Sequence, residues 1–167
     1  MKRKSICPDR FARPAMSFFI VLAVFAACKK NNGGASINSA SAIIGSAAFQ
    51  STQTVGVDNR SNHSFELNAT QLKTGDTSAI DLFFPDTVKL NKAYTLDNDL
   101  FYVGYVTSKG QKFYFPDYFS PIGTLTVTSI DKSAHIVAGT FSGHFLASST
   151  DSVVITNGKF NISYILQ

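Results

Sequence analysis

The chain reads as all-β: a single antiparallel β-sandwich, or flattened barrel, of about 8–10 strands. Three observations lead there. From Ser41 onward, short apolar stretches recur with turn residues between them. Thr, Val, Ile, Phe and Tyr dominate those stretches, the residues that suit a pleated, half-buried surface. No segment carries an apolar stripe of 3.6-residue period over three turns, so nothing argues for a helix.

The first 27 residues stand apart from that pattern. Lys2, Arg3, Lys4, Arg10 and Arg13 form a basic start, and Met16 to Ala27 is an apolar run of about a dozen residues. A spanning helix needs roughly 20 apolar residues, and this run meets Lys29 and Lys30 too early. The reading is a signal peptide over 1–27. Phe25-Ala26-Ala27-Cys28 resembles a lipobox, with Phe25 where Leu is commoner; the competing reading is an ordinary secretory peptide cut after Ala27 that releases a soluble protein. If the lipobox is used, Cys28 carries acyl chains, and at about 0.8 kcal/mol per buried methylene they anchor the chain durably.

Removing 1–27 discards five of the 15 Lys+Arg and one of the 11 Asp+Glu, which leaves ten of each sign. The basic balance of the whole chain therefore belongs to the leader and does not point to nucleic acid. Cys7 leaves with the leader and Cys28 is acylated, so the folded part is expected to hold no thiol for disulfides, nucleophilic catalysis or sulfur-ligated zinc. Residues 28–40 read as a flexible tether, because Lys29 to Ser36 is polar and glycine-rich with nothing to bury. In lipoproteins of this kind an acidic run after the cysteine resembles a surface-export signal. The basic residues here favour the periplasmic face of the outer membrane. The domain, 41–167, is about 125 residues, enough to bury roughly two thirds of its unfolded surface.

Strands are expected near 41–50, 52–57, 64–71, 78–84, 100–107, 111–116, 122–130, 135–146, 152–156 and 159–166. Phe65, Leu67 and Ala69 alternate with Glu66, Asn68 and Thr70, and Ile80, Leu82 and Phe84 enclose Asp81 before Pro85 ends the run. Leu125, Val127 and Ser129 oppose Thr124, Thr126 and Thr128. Each reads as a strand with one wet face. A turn at Lys109-Gly110 pairs Val106 with Phe113, Tyr105 with Tyr114 and Gly104 with Phe115, the last ring covering bare backbone. That register puts Tyr102, Val106, Phe113 and Phe115 on one face and Phe101, Val103, Tyr105 and Tyr114 on the other. Either both faces are covered, or one exposes an aromatic platform for sugars or peptides, drawn from Phe101, Tyr102, Tyr105, Tyr114 and Tyr118. Val137, Phe141 and Phe145 share a face with Gly139 and Gly143 between them, glycines that mark twist or close approach. From Val153 to Ile162 the preferred reading is a hairpin on a type I′ Asn157-Gly158 turn, pairing Ile155 with Phe160 and Val153 with Ile162; the rival is one bent strand with a glycine bulge.

Ile136-Val-Ala-Gly-Thr-Phe-Ser-Gly-His-Phe145 followed by Val153-Val-Ile-Thr-Asn-Gly-Lys-Phe-Asn-Ile162 resembles the C-terminal signature of a family of uncharacterised Bacteroidota lipoproteins, and Ser41-Ala-Ile-Ile-Gly45 is similar to its N-terminal strand turning at glycine. The resemblance implies an all-β lipoprotein and no particular activity. Asp86-Thr87-Val88 and Asp151-Ser152-Val153 resemble the Asp-Ser/Thr-aliphatic acceptor used for O-glycosylation in that phylum, which makes Thr87 and Ser152 candidate sites.

No catalytic set stands out. His63, His135 and His144 lack ligand spacing, and parity sends His135 and His144 to opposite faces, so no metal site is expected. Asp97-Asn98-Asp99 lacks the further oxygens and the glycine turn of a calcium loop. Glu66 is the one glutamate, no serine sits in a Gly-x-Ser-x-Gly elbow, and no cofactor is implied. The expected function is a lipid-anchored, non-catalytic binding or structural module that uses exposed aromatics or a sheet edge, with the membrane and a glycan, peptide or envelope protein as partners. The alternative is a small envelope hydrolase in which Asp97, Asp99 or Asp117 converge.

Overall fold

The computed structural model describes residues 36–97, 99–117 and 122–167, which form twelve strands and no helix. The expected signal peptide over 1–27, Cys28 and Tyr118 lie outside the described residues. In chain order the strands are β1 (Ser39–Ile44), β2 (Ala47–Gln50), β3 (Gln53–Asn59), β4 (Ser64–Lys73), β5 (Asp76–Pro85), β6 (Ala93–Thr95), β7 (Tyr102–Thr107), β8 (Lys112–Pro116), β9 (Gly123–Asp131), β10 (Ile136–Ser148), β11 (Asp151–Ser163) and β12 (Ile165–Leu166). β1 begins inside the stretch assigned to the tether. Ala40 is buried there, and Asn38 Oδ1 accepts from the Ser163 amide at 2.9 Å, so the chain is held before Ser41.

The strands hydrogen-bond in the order β12-β3-β4-β5-β7-β8-β10-β11-β1-β2, with β9 on β10 and β6 on β9. All pairings are antiparallel except β12 on β3. β8 is the seam. Its start pairs with β7 through Tyr105↔Tyr114, and its end pairs with β10 through Phe115↔Leu146 and Pro116↔Phe145. There the ribbon folds over, so a leaf of β3, β4, β5, β7 and β8 packs on a leaf of β1, β10, β11 and β9 as a sandwich, or flattened barrel. Phe84 of the first leaf lies 6.1 Å from Phe160 of the second, and Phe65 lies 5.0 Å from Tyr164, which is where the core sits. Phe84, Phe145, Phe160, Ile80, Leu82 and Ile155 are fully buried, each contributing about 1.5–3 kcal/mol of transfer free energy.

The alternations read from the sequence are present: Phe65, Leu67, Ala69, Ile80, Leu82, Phe84, Leu125, Val127, Val137, Phe141 and Phe145 all face the core. Gly45 takes φ +60 in the two-residue loop joining Ile44 to Ala47, so the expected strand 41–50 is the hairpin β1–β2.

The Asn157-Gly158 hairpin is not formed. β11 runs unbroken from Asp151 to Ser163, and both of its neighbours shift register at the same place, Phe141↔Gly158 giving way to Gly143↔Ile155 on β10 and Ser41↔Lys159 to Ile43↔Thr156 on β1. The rival reading, a bulged strand, is correct. Asn157 rather than Gly158 takes the left-handed conformation, at φ 54. The extra residue reverses the alternation, since Thr156 and Asn157 are both exposed, and so Ile155 and Phe160 reach the core without any turn. The true hairpin turn is Ser149-Thr150, closed by Ser148↔Asp151.

The resemblance signature has a packing explanation. Gly139 pairs with Phe160 and Phe141 pairs with Gly158, so each strand lays a ring over the other's glycine. A Cβ on Gly139 would stand 2.5 Å from the Phe160 ring, and one on Gly158 would stand 2.6 Å from that of Phe141. The two motifs form one cross-strand lock.

Candidate binding face and polar cleft

Of the five rings assigned to an aromatic platform, the described structure leaves Tyr102 on the open face. Phe101 stacks on Tyr94 at 4.1 Å and packs against the core edge. Tyr105 stacks on Tyr114 at 5.7 Å on the inner side, and Tyr114 is buried. The Tyr114 hydroxyl donates to Asp151 Oδ1 at 3.2 Å, while Lys112 Nζ reaches Asp151 Oδ2 at 2.6 Å, tying β8 to the start of β11. That lysine holds the Asp151 carboxyl below its ordinary range, and burial pushes the Tyr114 hydroxyl up.

The companions of Tyr102 are those its register gives. Phe113 is 55% exposed and Phe115 is 44% exposed, and Phe115 lies 6.1 Å from Tyr102. The pairing of Phe115 with Gly104 does not occur, because β8 has already crossed to β10. Tyr102 covers Gly104 itself: a Cβ there would stand 2.7 Å from the Tyr102 Cζ.

Register builds the rest of this face in rows. Val57, Glu66, Phe83 and Tyr102 form one row across β3, β4, β5 and β7, and Val55, Asn68, Asp81 and Gly104 form the next. All of these but Gly104 line a shallow groove of about 350 Å³. Val55 is 60% exposed. The polar groups are ordered: Asn68 Nδ2 donates to Asp81 Oδ1 at 2.6 Å, and Thr70 Oγ1 donates to Asn68 Oδ1 at 2.8 Å. Burial, with the Asp81 carboxylate adding to it, pushes the Tyr102 hydroxyl up to about 12, so the phenol stays a neutral donor and acceptor. No Lys or Arg lines the groove.

A second concavity, of about 360 Å³, lies among turns and strand ends, lined by Asp58, Arg60, His63, Asp86, Lys132, His135, Tyr164 and Leu166. Sequence reasoning missed it because spacing alone sets His63 and His135 far apart. His63 Nδ1 lies 3.3 Å from Asp86 Oδ2, and the His135 ring stacks on Tyr164 at 5.4 Å. Among the described residues, no group of three His, Cys, Asp or Glu has a metal-holding arrangement. The Asp58 Oδ1, Ser64 Oγ and Asp86 Oδ1 oxygens at this end are buried without a hydrogen-bond partner. Burial raises the Tyr164 hydroxyl, the Asp58 and Asp131 carboxylates add to that, and Arg60 opposes it.

The remaining candidates are placed as follows. Asp97 Oδ1 accepts from the amides of Asp99, Leu100 and Phe101, so its carboxylate caps its own loop. Asp99 is exposed in that loop, and Asp117 follows β8. Thr87 is exposed in the turn after β5, whereas Ser152 is exposed as the second residue of β11, paired with Leu146. His144 lines a third groove on the opposite leaf with Ile122 and Val154, away from His135.

Comparison with protein-family models, with curated proteins and with solved structures returns no match.

Proposed function

We propose that the protein is a lipid-anchored, non-catalytic binding module of the cell envelope, held through Cys28 at the periplasmic face of the outer membrane, that takes a glycan segment on the outer face of β3, β4, β5 and β7. One observation carries this reading: Tyr102 and Phe83 lie in one row with Glu66, beside the hydrogen-bonded Asn68–Asp81 pair, over an exposed valine floor. The apolar face of a sugar ring stacks on an aromatic side chain, and its hydroxyls donate to carboxylate and amide oxygens. A groove lined by two carboxylates and no cation disfavours an anionic ligand, and an open groove admits a chain longer than one ring.

The test is calorimetric titration with neutral gluco-, xylo-, manno- and N-acetylglucosamine oligosaccharides. At least one series is expected to bind, and Tyr102→Ala should weaken it by about tenfold or more. Failure of every series, or binding that survives a Phe83→Ala/Tyr102→Ala double variant, overturns the reading. The anchor is tested separately by palmitate labelling, which Cys28→Ala should abolish.

A further inference from the structure

Two turns of this chain share a pattern of cap, cation, serine and final histidine. Asn59-Arg60-Ser61-Asn62-His63 joins β3 to β4, and Asp131-Lys132-Ser133-Ala134-His135 joins β9 to β10. The first residue of each is the cap: Asn59 Oδ1 accepts from the Asn62 amide at 3.2 Å, and Asp131 Oδ1 accepts from the Ser133 and Ala134 amides at 2.9 Å. The fifth is a left-handed histidine, at φ 52 and φ 53. The hairpin β7–β8 also ends its turn on a left-handed residue, Gln111 at φ 51, with Ser108 where the other two turns carry a cation, although there Gly110 takes positive φ as well. The conformation belongs to the turn; the cation and the imidazole do not.

The fold brings both turns to the same cleft, where Arg60, His63, Lys132 and His135 are exposed at the rim and Asp58 and Asp86 are half-buried behind them. Asp86 is directed at His63. Neither Arg60 nor Lys132 makes an ion pair with a carboxylate among the described residues. Asp58 and Asp86 balance them in the lining as a whole, but the two cations stand at the exposed rim, where a small anion can reach them through charge-assisted hydrogen bonds.

We infer that this cleft is an oxyanion site, distinct from the glycan face, in which Arg60 and Lys132 clamp a phosphate or carboxylate group from opposite turns while His63 and His135 donate to it. Tyr164 and Leu166 supply the apolar wall against which the rest of the ligand lies. The charged and titratable groups facing the two imidazoles are Asp58, Arg60 and Asp86 on one side and Asp131, Lys132 and Tyr164 on the other.

The experiment is an amide and imidazole NMR titration of the protein with inorganic phosphate and, separately, with glucuronate. Expected are shifts confined to 58–63, 86 and 131–135, with phosphate alone, glucuronate alone or both as ligand deciding the source of the oxyanion. Arg60→Gln and Lys132→Gln should each weaken binding roughly tenfold, and Glu66→Gln on the other face should not. The substitutions sit at exposed turn positions whose caps remain, so the spectrum of the rest of the domain reports that the fold is kept. The inference is overturned if neither anion shifts these residues, or if the Arg60→Gln/Lys132→Gln variant binds like the wild type. Neutral oligosaccharide binding is expected to be unchanged in that variant, which separates this site from the proposed one.

Discussion

Asn157 offers a direct test of the bulge in β11. Its φ of 54 is a left-handed conformation that Asn and Gly tolerate and that β-branched residues do not. Asn157→Val therefore should cost about 1–2 kcal/mol, whereas Asn157→Gly should change stability by no more than about 0.5 kcal/mol. Thr156, its exposed neighbour with ordinary φ, is the control, because Thr156→Val meets no such penalty and should also stay within about 0.5 kcal/mol. In a domain of this size the valine variant should lose about 3–8 °C of Tm. The assay is urea denaturation followed by tyrosine fluorescence, with thermal melts as a second measure, and the denaturant slope should not change, since the fold does not. Equal stability of the Val and Gly variants at 157, or a cost at 156 as large as that at 157, would refute the left-handed Asn157 on which the bulge rests.

Two further outcomes follow from the packing and from the buried hydroxyls. Gly158→Ala forces its Cβ onto the Phe141 ring, 2.6 Å away, and should cost about 1–3 kcal/mol; in a double-mutant cycle with Phe141→Leu the costs should be less than additive, and strict additivity would mean that ring and glycine do not interlock. Tyr102, raised to about 12, stays neutral in the folded state while an unfolded tyrosine ionises near about 10, so its contribution to stability is intact below about pH 10 and is lost as the pH rises towards about 12. Alkaline denaturation of Tyr102→Phe should accordingly fall less steeply through that window than the wild type, and an identical slope would show that Tyr102 is not the buried phenol.

Most of the fold was legible in the sequence because burial in an antiparallel sandwich leaves a period of two, which Phe65 to Ala69 and Ile80 to Phe84 display directly. The misreading of 153–162 has a specific cause. A two-residue turn and a one-residue bulge both bring Ile155 and Phe160 to the same side, so alternation cannot separate them; what decides is that β10 and β1 flank β11 along its length, and that is tertiary information. A similar bulge, where Ala138↔Ser129 gives way to Gly139↔Val127, is why Ser129 is exposed instead of continuing the row of Leu125 and Val127. Short β6 and β12 have too few residues to show any period. On the candidate face, the register of β7 and β8 correctly set Tyr102 with Phe113, but nothing local could show that Val55, Phe83 and Asp81 stand beside it, since β3 and β5 join that face from earlier in the chain. The polar cleft was missed: its two turns carry a cap, a cation and a histidine at matching places, but nothing local shows that they meet, and only the fold brings them together.

The two leaves also give an internal comparison for the proposed face. The outward positions of the second leaf mix small polar residues, Ser39 and Ser41 on β1, Thr124 and Thr126 on β9, Thr140 and Ser142 on β10 and Thr156 and Lys159 on β11, with the apolar Ile43, Leu146 and Val154, and among the described residues these strands turn no Phe or Tyr ring outward. The polar part is the composition water selects on the open side of an antiparallel sheet. The outward positions of the first leaf carry Val55, Val57, Phe83, Tyr102, Val106, Phe113 and Phe115. Both leaves are built from the same kind of strand and close the same core, so neither the core nor strand propensity accounts for the difference between their outer faces. An apolar outer face gives no folding free energy when it remains wet, and exposed rings invite association. On the proposed reading a ligand covers the rings of the first leaf, and the ordered Thr70–Asn68–Asp81 chain among them meets its hydroxyl donors.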